Sequence, residues 1–405
     1  MLCINDHKVT INGLNLEVLT VNLKLLGSSL IVAGTALGAG MLAIPMVLAQ
    51  FGLLWGTLFM LFIWLGTTYA ALMLLEASCR VGGGISMNAI ARDTLGTPGQ
   101  LITNILLYAL LVCLLMAYII GAGDVITQVV SSLKFELAPY VSQIAFTLLF
   151  GIIISSGTKI VDLLNRGLFI AMITALVLTL GFLAPNITFS GIGDTVNTDV
   201  FALFQTSSVV FTSFGFMVVI PSLVSYNKEA TKFQLRNMII VGSLIPLVCY
   251  LLWLFAVIGN LPPQKLTQFS DLSELIATLG QQYSSLEFIL SIFTGLALLT
   301  SFLGVAMALY DQNADLLNAN KPIVFGTTFI LPLIGALFAQ KYFLAILGYA
   351  GIILVFLAIF LPLAMMISAR SRYNEVKDVY QVGGGNLGIA LIFSFGCFLI
   401  FAQLM

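Results

Sequence analysis

The chain has 405 residues, of which 60% are hydrophobic and only 8% are charged, and its mean hydropathy is +1.09. Soluble domains carry about 25% charged residues because their surface must stay hydrated, so most of this surface is expected to face lipid. The net charge of −1 excludes a nucleic-acid partner, which would require a dense basic patch. The five cysteines are scattered without metal-ligand spacing, which favours buried apolar roles over a metal site.

About eleven apolar stretches are long enough to cross a membrane as helices, each of which needs about 20 residues. They cover residues 25–50, 52–77, 101–129, 139–157, 160–184, 201–226, 236–259, 286–310, 322–339, 343–368 and 386–404. No connecting segment is long enough for a separate soluble domain. The sequence therefore predicts an all-α polytopic membrane protein.

The distribution of Lys and Arg predicts the orientation, because these residues are retained on the cytoplasmic side of a membrane. With residues 1–24 as a cytoplasmic N-terminal segment, only Lys134, Lys265 and Lys341 of the 16 cations lie outside. The opposite orientation would invert this bias. An odd number of spans then leaves the C-terminus outside.

Two spans contain matched helix-weakening sequences near mid-membrane. The first has Gly34-Thr35-Ala36-Leu37-Gly38-Ala39-Gly40 before Pro45, and the sixth has Thr212-Ser213-Phe214-Gly215-Phe216 before Pro221. Unwound backbone is tolerated in a bilayer only where it faces protein or a polar cavity, and paired breaks indicate a transporter's binding site. The alternative is that these glycines only allow close helix packing. Thr or Ser beside both breaks favours the binding site.

The positions of the two breaks predict an inverted repeat. Residues 25–184 form five spans that begin inside, residues 201–368 form five that begin outside, and 386–404 is an additional span. At each break, N–H groups at a positive helix end can bind a carboxylate, while carbonyls can bind an amine or a cation. A zwitterionic amino acid carries both groups, so the pattern predicts an amino acid transporter.

Seven stretches resemble the hydroxy/aromatic amino acid permease family, in particular its bacterial tyrosine and tryptophan permeases. They are residues 31–35, 38–45, 161–166, 211–216, 221–226, 300–305 and 347–351. The resemblance extends from about residue 25 to 404. It implies the LeuT-like five-plus-five inverted-repeat fold of the amino acid–polyamine–cation superfamily, with one extra helix. It also implies ion-driven uptake of tyrosine, tryptophan or phenylalanine across a bacterial inner membrane, which makes the outer side of the predicted C-terminus the periplasm. We expect no cofactor and no obligate protein partner.

The chain departs from the family pattern at one position in span 6. Tyrosine permease-like members tend to carry His after Phe-Gly-Phe, whereas this chain has Met217. Its only histidine is His7, which lies outside the predicted spans. Proton transfer by an imidazole of span 6 is therefore excluded.

The breaks and the resemblance together predict a substrate site. The carboxylate is expected against span 1, the amine against span 6, the rings of span 6 beside an aromatic substrate, and a tyrosine of span 3 over it. The predicted residues are Gly34, Thr35, Gly38, Ala39, Gly40, Tyr118, Thr212, Ser213, Phe214, Gly215 and Phe216. Core packing is the simpler alternative for either Phe, because the chain has 30 of them.

Either a proton or a sodium ion could drive uptake. Ionisable groups inside a membrane are costly, so Asp124 in span 3 is the candidate proton carrier, with a solvated helix end as the alternative. The hydroxyls of Thr300 and Ser301 and the carbonyls near Gly34 and Leu37 form a candidate sodium site. We expect proton coupling, with sodium as the alternative.

Other functional classes fit the sequence less well. It lacks His-Glu-x-x-His, Gly-x-Ser-x-Gly and phosphate-loop motifs, which argues against an enzyme. A channel would normally present a repeated filter loop or rings of charge along a pore. Among transporters, a proton-coupled serine or threonine permease is the alternative, because that branch shares the framework.

Overall fold

A computed structural model describes residues 10–11, 14–82, 86–132, 134–188, 195–261, 265, 269, 272–280, 284–317, 320–375 and 379–404. These residues are helical apart from loops and one short antiparallel hairpin, formed by β1 (Thr10–Ile11) and β2 (Leu14–Asn15). The hairpin precedes the first span and is a small departure from the all-α prediction.

Sixteen α-helices are present in the described residues. They are α1 Leu16–Ala36, α2 Ala39–Leu48, α3 Gly52–Arg80, α4 Met87–Ser132, α5 Pro139–Ser155, α6 Thr158–Leu183, α7 Val200–Gln205, α8 Ser207–Ser213, α9 Ile220–Tyr226, α10 Lys232–Asn260, α11 Leu272–Gly280, α12 Ser284–Leu317, α13 Lys321–Phe338, α14 Phe343–Val355, α15 Leu361–Arg372 and α16 Gly385–Leu404. A π-helical turn, Phe356–Phe360, joins α14 to α15.

By length and composition, nine helical stretches of the described residues could cross a membrane. They are Gly40–Arg80, Met87–Ser132, Leu163–Asn186, Val200–Tyr226, Lys232–Asn260, Leu286–Leu317, Lys321–Phe338, Phe343–Arg372 and Gly385–Leu404. Two shorter apolar helices, Leu23–Ala36 and Pro139–Ser155, coincide with the remaining predicted spans. Helix is thus present at every predicted span, while the exact number of crossings and the inverted repeat stay predictions.

The helix boundaries follow local sequence signals. The first helix begins at Leu16 rather than at residue 25, because neither Gly nor Pro interrupts residues 16–24. The start of α10 is fixed by a capping box, in which the Thr231 hydroxyl accepts the Gln234 N–H and the Gln234 side chain accepts the Thr231 N–H. Because α1 begins at Leu16, the predicted N-terminal segment 1–24 is partly helix.

The long helices pack around a central group that positions the site. Helix α12 packs along α4 and α6, α1 packs along α10, and α14 packs against α4 and α8. Large apolar side chains on the outer faces are exposed, as at Leu163 (76%) and Phe338 (88%). Such a surface suits lipid rather than water, whereas the polar side chains treated below lie inside.

Candidate substrate site

The first predicted break is present between α1 and α2, at Leu37 and Gly38. Gly38 has extended backbone, with φ −157° and ψ −153°, and its carbonyl accepts the Met41 N–H at 3.1 Å. A Cβ atom at position 38 would collide with the Ser301 hydroxyl of α12. Any larger residue here would have to displace the Ser301 hydroxyl, so the close approach of α12 favours glycine.

The second predicted break is present between α8 and α9. Residues 214–216 lie outside the α-helices, and tight-turn bonds run from the Phe214 and Gly215 N–H groups to carbonyls three residues earlier (3.0 and 3.1 Å). A 3₁₀ turn, Met217–Val219, then leads into α9. Pro221 in the first turn of α9 has no N–H to donate back toward residue 217, which favours the opening.

The two breaks contact each other directly. The Ser213 hydroxyl donates to the Gly40 carbonyl at 2.8 Å, which joins the end of α8 to the start of α2. From α10, the fully buried Tyr250 hydroxyl lies 2.7 Å from the Ala36 carbonyl and 2.6 Å from the Ser213 carbonyl. The C-terminal ends of α1 and α8 therefore meet at one phenol oxygen.

A cavity of about 540 Å³ runs from the two breaks between α4 and α12. Around the breaks its polar side chains are all hydroxyls, and Tyr118 is the only aromatic lining residue in the described part of the chain. These hydroxyl-bearing residues are Thr35, Tyr118, Thr212, Ser213 and Ser301. The cavity volume lies within the range of about 300–1,000 Å³ that is usual for small-molecule sites.

The far end of the cavity is also polar. Ser86 and Asn88 line it near the start of α4, together with Asn104, Gln312 and Asp315. None of these five residues was predicted as a site residue, because polar residues near the end of a predicted span are usually explained by contact with water. The structure brings them together because α12 lies along α4.

Most of the predicted substrate-binding residues line this cavity. They are Thr35, Gly38, Gly40, Tyr118, Thr212, Ser213 and Gly215. Gly34 faces α6 instead, since a Cβ there would lie 3.3 Å from the Phe169 ring. The side chain of Ala39 lies outside what the structure describes.

The two rings of the second break lie in the protein core. Phe214 and Phe216 are both fully buried, and neither lines the cavity. Phe214 packs edge-on against Tyr250, with ring centroids 5.1 Å apart. The prediction that these rings stack on a substrate therefore finds no support in this geometry, because both already bury their surface against protein.

Tyr118 and Ser301 form a polar pair on one wall of the cavity. The Tyr118 hydroxyl is hydrogen-bonded to the Ser301 side chain, and the Ser301 hydroxyl donates to the Ala297 carbonyl at 2.9 Å. This pair links α4 to α12 directly opposite Gly38. A substrate seated at the first break would contact it.

Both hydroxyls of the candidate sodium site are hydrogen-bonded within α12. The Thr300 hydroxyl donates within α12 to the Leu296 carbonyl at 2.9 Å, and it lies 3.7 Å from the Met172 sulfur of α6. Gly34 faces the Phe169 ring of the same helix. An aromatic ring and a thioether thus occupy positions beside the predicted ligands, while Leu37 is buried at the break.

Asp124, the candidate proton carrier, does not line the cavity. It lies on α4 six residues beyond Tyr118, which is about 9 Å along the helix axis. The side chain is half-buried. A role in coupling would require a path from Asp124 to the substrate site along α4.

Tyr250 was not predicted, because a single Tyr within an apolar span resembles a core residue. The only hint in the sequence is that a residue with a hydroxyl group stands in an otherwise apolar stretch of α10. A buried phenol needs a hydrogen-bond partner, and that need could have pointed to a polar site nearby.

A second polar region lies at the ends of α3 and α15, outside the cavity. Glu76, which is fully buried, accepts from Arg80 at 2.9 Å and from two nitrogens of Arg370 at 2.8 and 2.7 Å. It also accepts the Val382 N–H at 2.9 Å. Arg80 lies one helical turn from Glu76 on α3, whereas Arg370 comes from α15, 294 residues further along the chain.

The amino-acid sequence matches the tryptophan/tyrosine permease family over residues 22–403. The chain belongs to this family. Its members are transport permeases, so this protein is not an enzyme, and its apolar helices are those of a multi-pass membrane protein. The family that the sequence motifs indicated is confirmed.

Individual relatives transport different amino acids, according to their names. The chain is 54% identical to glutamine transporter 2 of Aliivibrio fischeri over 388 residues, which cover 95% of this chain and all of the relative. It is 34% identical to tyrosine-specific transport system 1 of Haemophilus influenzae, over 92% of this chain and 94% of the relative. It is 32% identical to the tryptophan-specific transport protein of the same organism, over 94% and 95%. Amino acid transport is common to all three.

Proposed function

We propose that this protein imports a neutral amino acid with a polar side chain, and that glutamine is its main substrate. The observation that carries the proposal is the hydroxyl-lined end of the cavity at the two breaks, where no ring of the sixth span is available for stacking. The 54% identity to a glutamine transporter supports the same choice.

The chemistry of the site suits a zwitterion with a carboxamide. The N-terminal end of α2 carries partial positive charge and can hold the substrate carboxylate near Gly38 and Gly40. A carboxamide has both a donor and an acceptor, and hydroxyls such as those of Thr212 and Ser301 can serve either. An aromatic substrate would instead gain from ring contacts, and Tyr118 is the only aromatic side chain that lines the cavity in the part of the chain that the structure describes.

Aromatic amino acids are the second candidate, as the sequence motifs predicted. The relatives at 34% and 32% identity are named for tyrosine and tryptophan, and the cavity is large enough for either side chain. Serine or threonine, the third possibility, would leave much of the cavity empty.

Transport proceeds by alternating access, in which the broken helices hold the substrate while one group of helices moves against the rest. The present cavity extends from the breaks to Asn88 and Gln312 at one end of the helices. Arg80, Arg370 and Arg372 lie at the helix ends of the side that the distribution of cations assigns to the cytoplasm. This arrangement is therefore the inward-facing one, in a bacterial inner membrane.

A proton gradient drives uptake in this proposal. Sodium requires a cage of several oxygens, and the Met172 sulfur and the Phe169 ring stand beside the candidate ligands Thr300 and Gly34. Asp124 remains the proposed proton carrier, because it is a half-buried carboxyl on the helix that carries Tyr118.

Uptake into proteoliposomes tests the proposal. Labelled glutamine, tyrosine, tryptophan, phenylalanine and serine would be offered with proton and sodium gradients imposed separately. We expect glutamine uptake with the proton gradient alone, at least tenfold above the aromatic acids. Aromatic uptake without glutamine uptake would establish the second candidate, and a requirement for sodium would overturn proton coupling.

A further inference from the structure

Tyr250 occupies an unusual position between the two breaks. Its hydroxyl lies within 2.7 Å of two backbone carbonyls, those of Ala36 and Ser213, which end different half-helices. Its ring packs edge-on against Phe214, and the whole residue is inaccessible to solvent. Tyr250 belongs to α10, which packs along α1, so the ring is held from a third element.

The two carbonyls at the C-terminal ends of α1 and α8 need a hydrogen-bond donor between them. The C-terminal ends of helices carry partial negative charge, and two such ends facing one another repel. A phenol has one proton to donate, and that proton can be shared between the two carbonyls or pass between them by rotation of the O–H. Buried carbonyls without a donor are strongly disfavoured, so loss of this hydroxyl would separate the two ends.

We propose that Tyr250 is a positioning residue, which joins the C-terminal ends of α1 and α8 and thereby sets the distance between the two breaks. The direct bond between the Ser213 hydroxyl and the Gly40 carbonyl acts at the same junction. Because both breaks line the substrate cavity, Tyr250 controls the shape of the site without contacting the substrate, and it moves with both half-helices when access changes.

Hydrogen–deuterium exchange on the purified protein tests this role without any substrate. Tyr250→Phe keeps the ring but removes the hydroxyl, and Tyr349→Phe on α14 is the matched control, since Tyr349 is 59% exposed. In Tyr250→Phe we expect exchange to rise about tenfold, the equivalent of one hydrogen bond, at residues 37–41 and 214–217 together. The control should match the wild type.

The pattern of exchange separates positioning from ordinary packing. A residue that only fills the core would raise exchange along α10 or throughout the protein. Exchange that is unchanged at either break, or raised equally everywhere, would overturn the proposal. If Tyr250→Phe cannot be purified, Phe214→Leu replaces it: freeing the ring while keeping the hydroxyl should give a smaller rise at the same two breaks, and any other pattern overturns the proposal.

A transport measurement gives a second readout, which rests on the proposed function. For Tyr250→Phe we expect the KM for glutamine to rise about tenfold, with Vmax per folded molecule within about twofold of the wild type. A wild-type KM would contradict the positioning role. If no amino acid is transported even by the wild type, the proposed function fails, and the exchange pattern still decides the role of Tyr250.

Discussion

Two polar regions lie inside this apolar protein, and they differ in the polar groups that form them. At the breaks the cavity is lined by hydroxyls and open backbone, with the carboxylate of Asp315 at its far end. The region around Glu76 is instead a closed set of charges. Glu76 has three side-chain bonds to arginines and one to the Val382 N–H, so its acceptor sites are filled by the protein. The cavity keeps room for a ligand.

The difference suits the two regions to different roles: the cavity can bind and release a ligand, whereas the Glu76 region keeps its protein partners. Neutral groups can pass a substrate between protein and water at moderate cost, because no buried charge is exposed when the substrate leaves. A buried carboxylate that loses its partners incurs a large desolvation cost, which opposes movement. In the proposed function, transport uses the cavity, and the Glu76 region anchors α3, α15 and the segment before α16.

The largest expected effect comes from filling the first break. Gly38→Leu should reduce uptake by at least about a hundredfold, because the new side chain would collide with Ser301 and occupy the cavity. Gly27→Leu on α1, the helix that precedes the break, is the control, since nothing lies within 4 Å of a Cβ there. Uptake is measured per molecule of folded protein. Wild-type uptake by Gly38→Leu would show that the substrate site does not lie at the first break.

Replacement of Glu76 should affect stability rather than recognition. Glu76→Gln removes the buried carboxylate that pairs with the buried Arg80 and the half-buried Arg370, which costs about 3–5 kcal/mol of folding free energy. Thermal denaturation in detergent should show a marked fall in Tm, with Glu229→Gln at an exposed position as the control. The KM of the surviving protein should equal that of the wild type. A raised KM with normal Tm would place Glu76 in the transport pathway.

A smaller effect is expected from the polar pair on the cavity wall. Tyr118→Phe removes a hydroxyl that is bonded to Ser301 but keeps the ring that lines the cavity. One hydrogen bond corresponds to a rise in the KM for glutamine of about three- to tenfold, with little change in Vmax. Tyr342→Phe, at an exposed position, controls for removal of a phenol. An unchanged KM would show that the substrate is bound away from this wall.

The smallest effect is expected at the predicted sodium ligands. Thr300→Ala should change uptake by less than about twofold, because the hydroxyl bonds within its own helix and to the Met172 sulfur. Uptake would be compared in sodium and in choline buffers, with Thr327→Ala on the exposed side of α13 as a control. A loss of sodium-dependent uptake specific to Thr300→Ala would contradict proton coupling.

The sequence predicted the helices and both breaks because their signals are local. Runs of apolar residues define the spans, and the Gly38 and Gly215 neighbourhoods weaken a helix wherever they occur. The contacts of Tyr250 and Arg370 were not predictable in this way. Ala36 lies 214 residues from Tyr250 and Glu76 lies 294 residues from Arg370, so only the packing of distant helices brings these pairs together.

The core positions of Phe214 and Phe216 were also hidden from the sequence. A ring beside a break reads equally well as a substrate contact or as a core residue, because both environments are apolar. Which one applies depends on the direction of the chain through the turn at residues 214–216. The structure, with Phe214 against Tyr250, gives the core assignment.

Equilibrium binding of labelled glutamine to the purified protein tests the central claim most directly, because it isolates the cavity from coupling and orientation. We expect saturable binding by the wild type and by Gly27→Leu, no binding by Gly38→Leu, and at least tenfold weaker competition by tyrosine or tryptophan than by unlabelled glutamine. Equal binding by Gly38→Leu, or stronger competition by the aromatic acids than by glutamine, would contradict a hydroxyl-lined amide site at the two breaks.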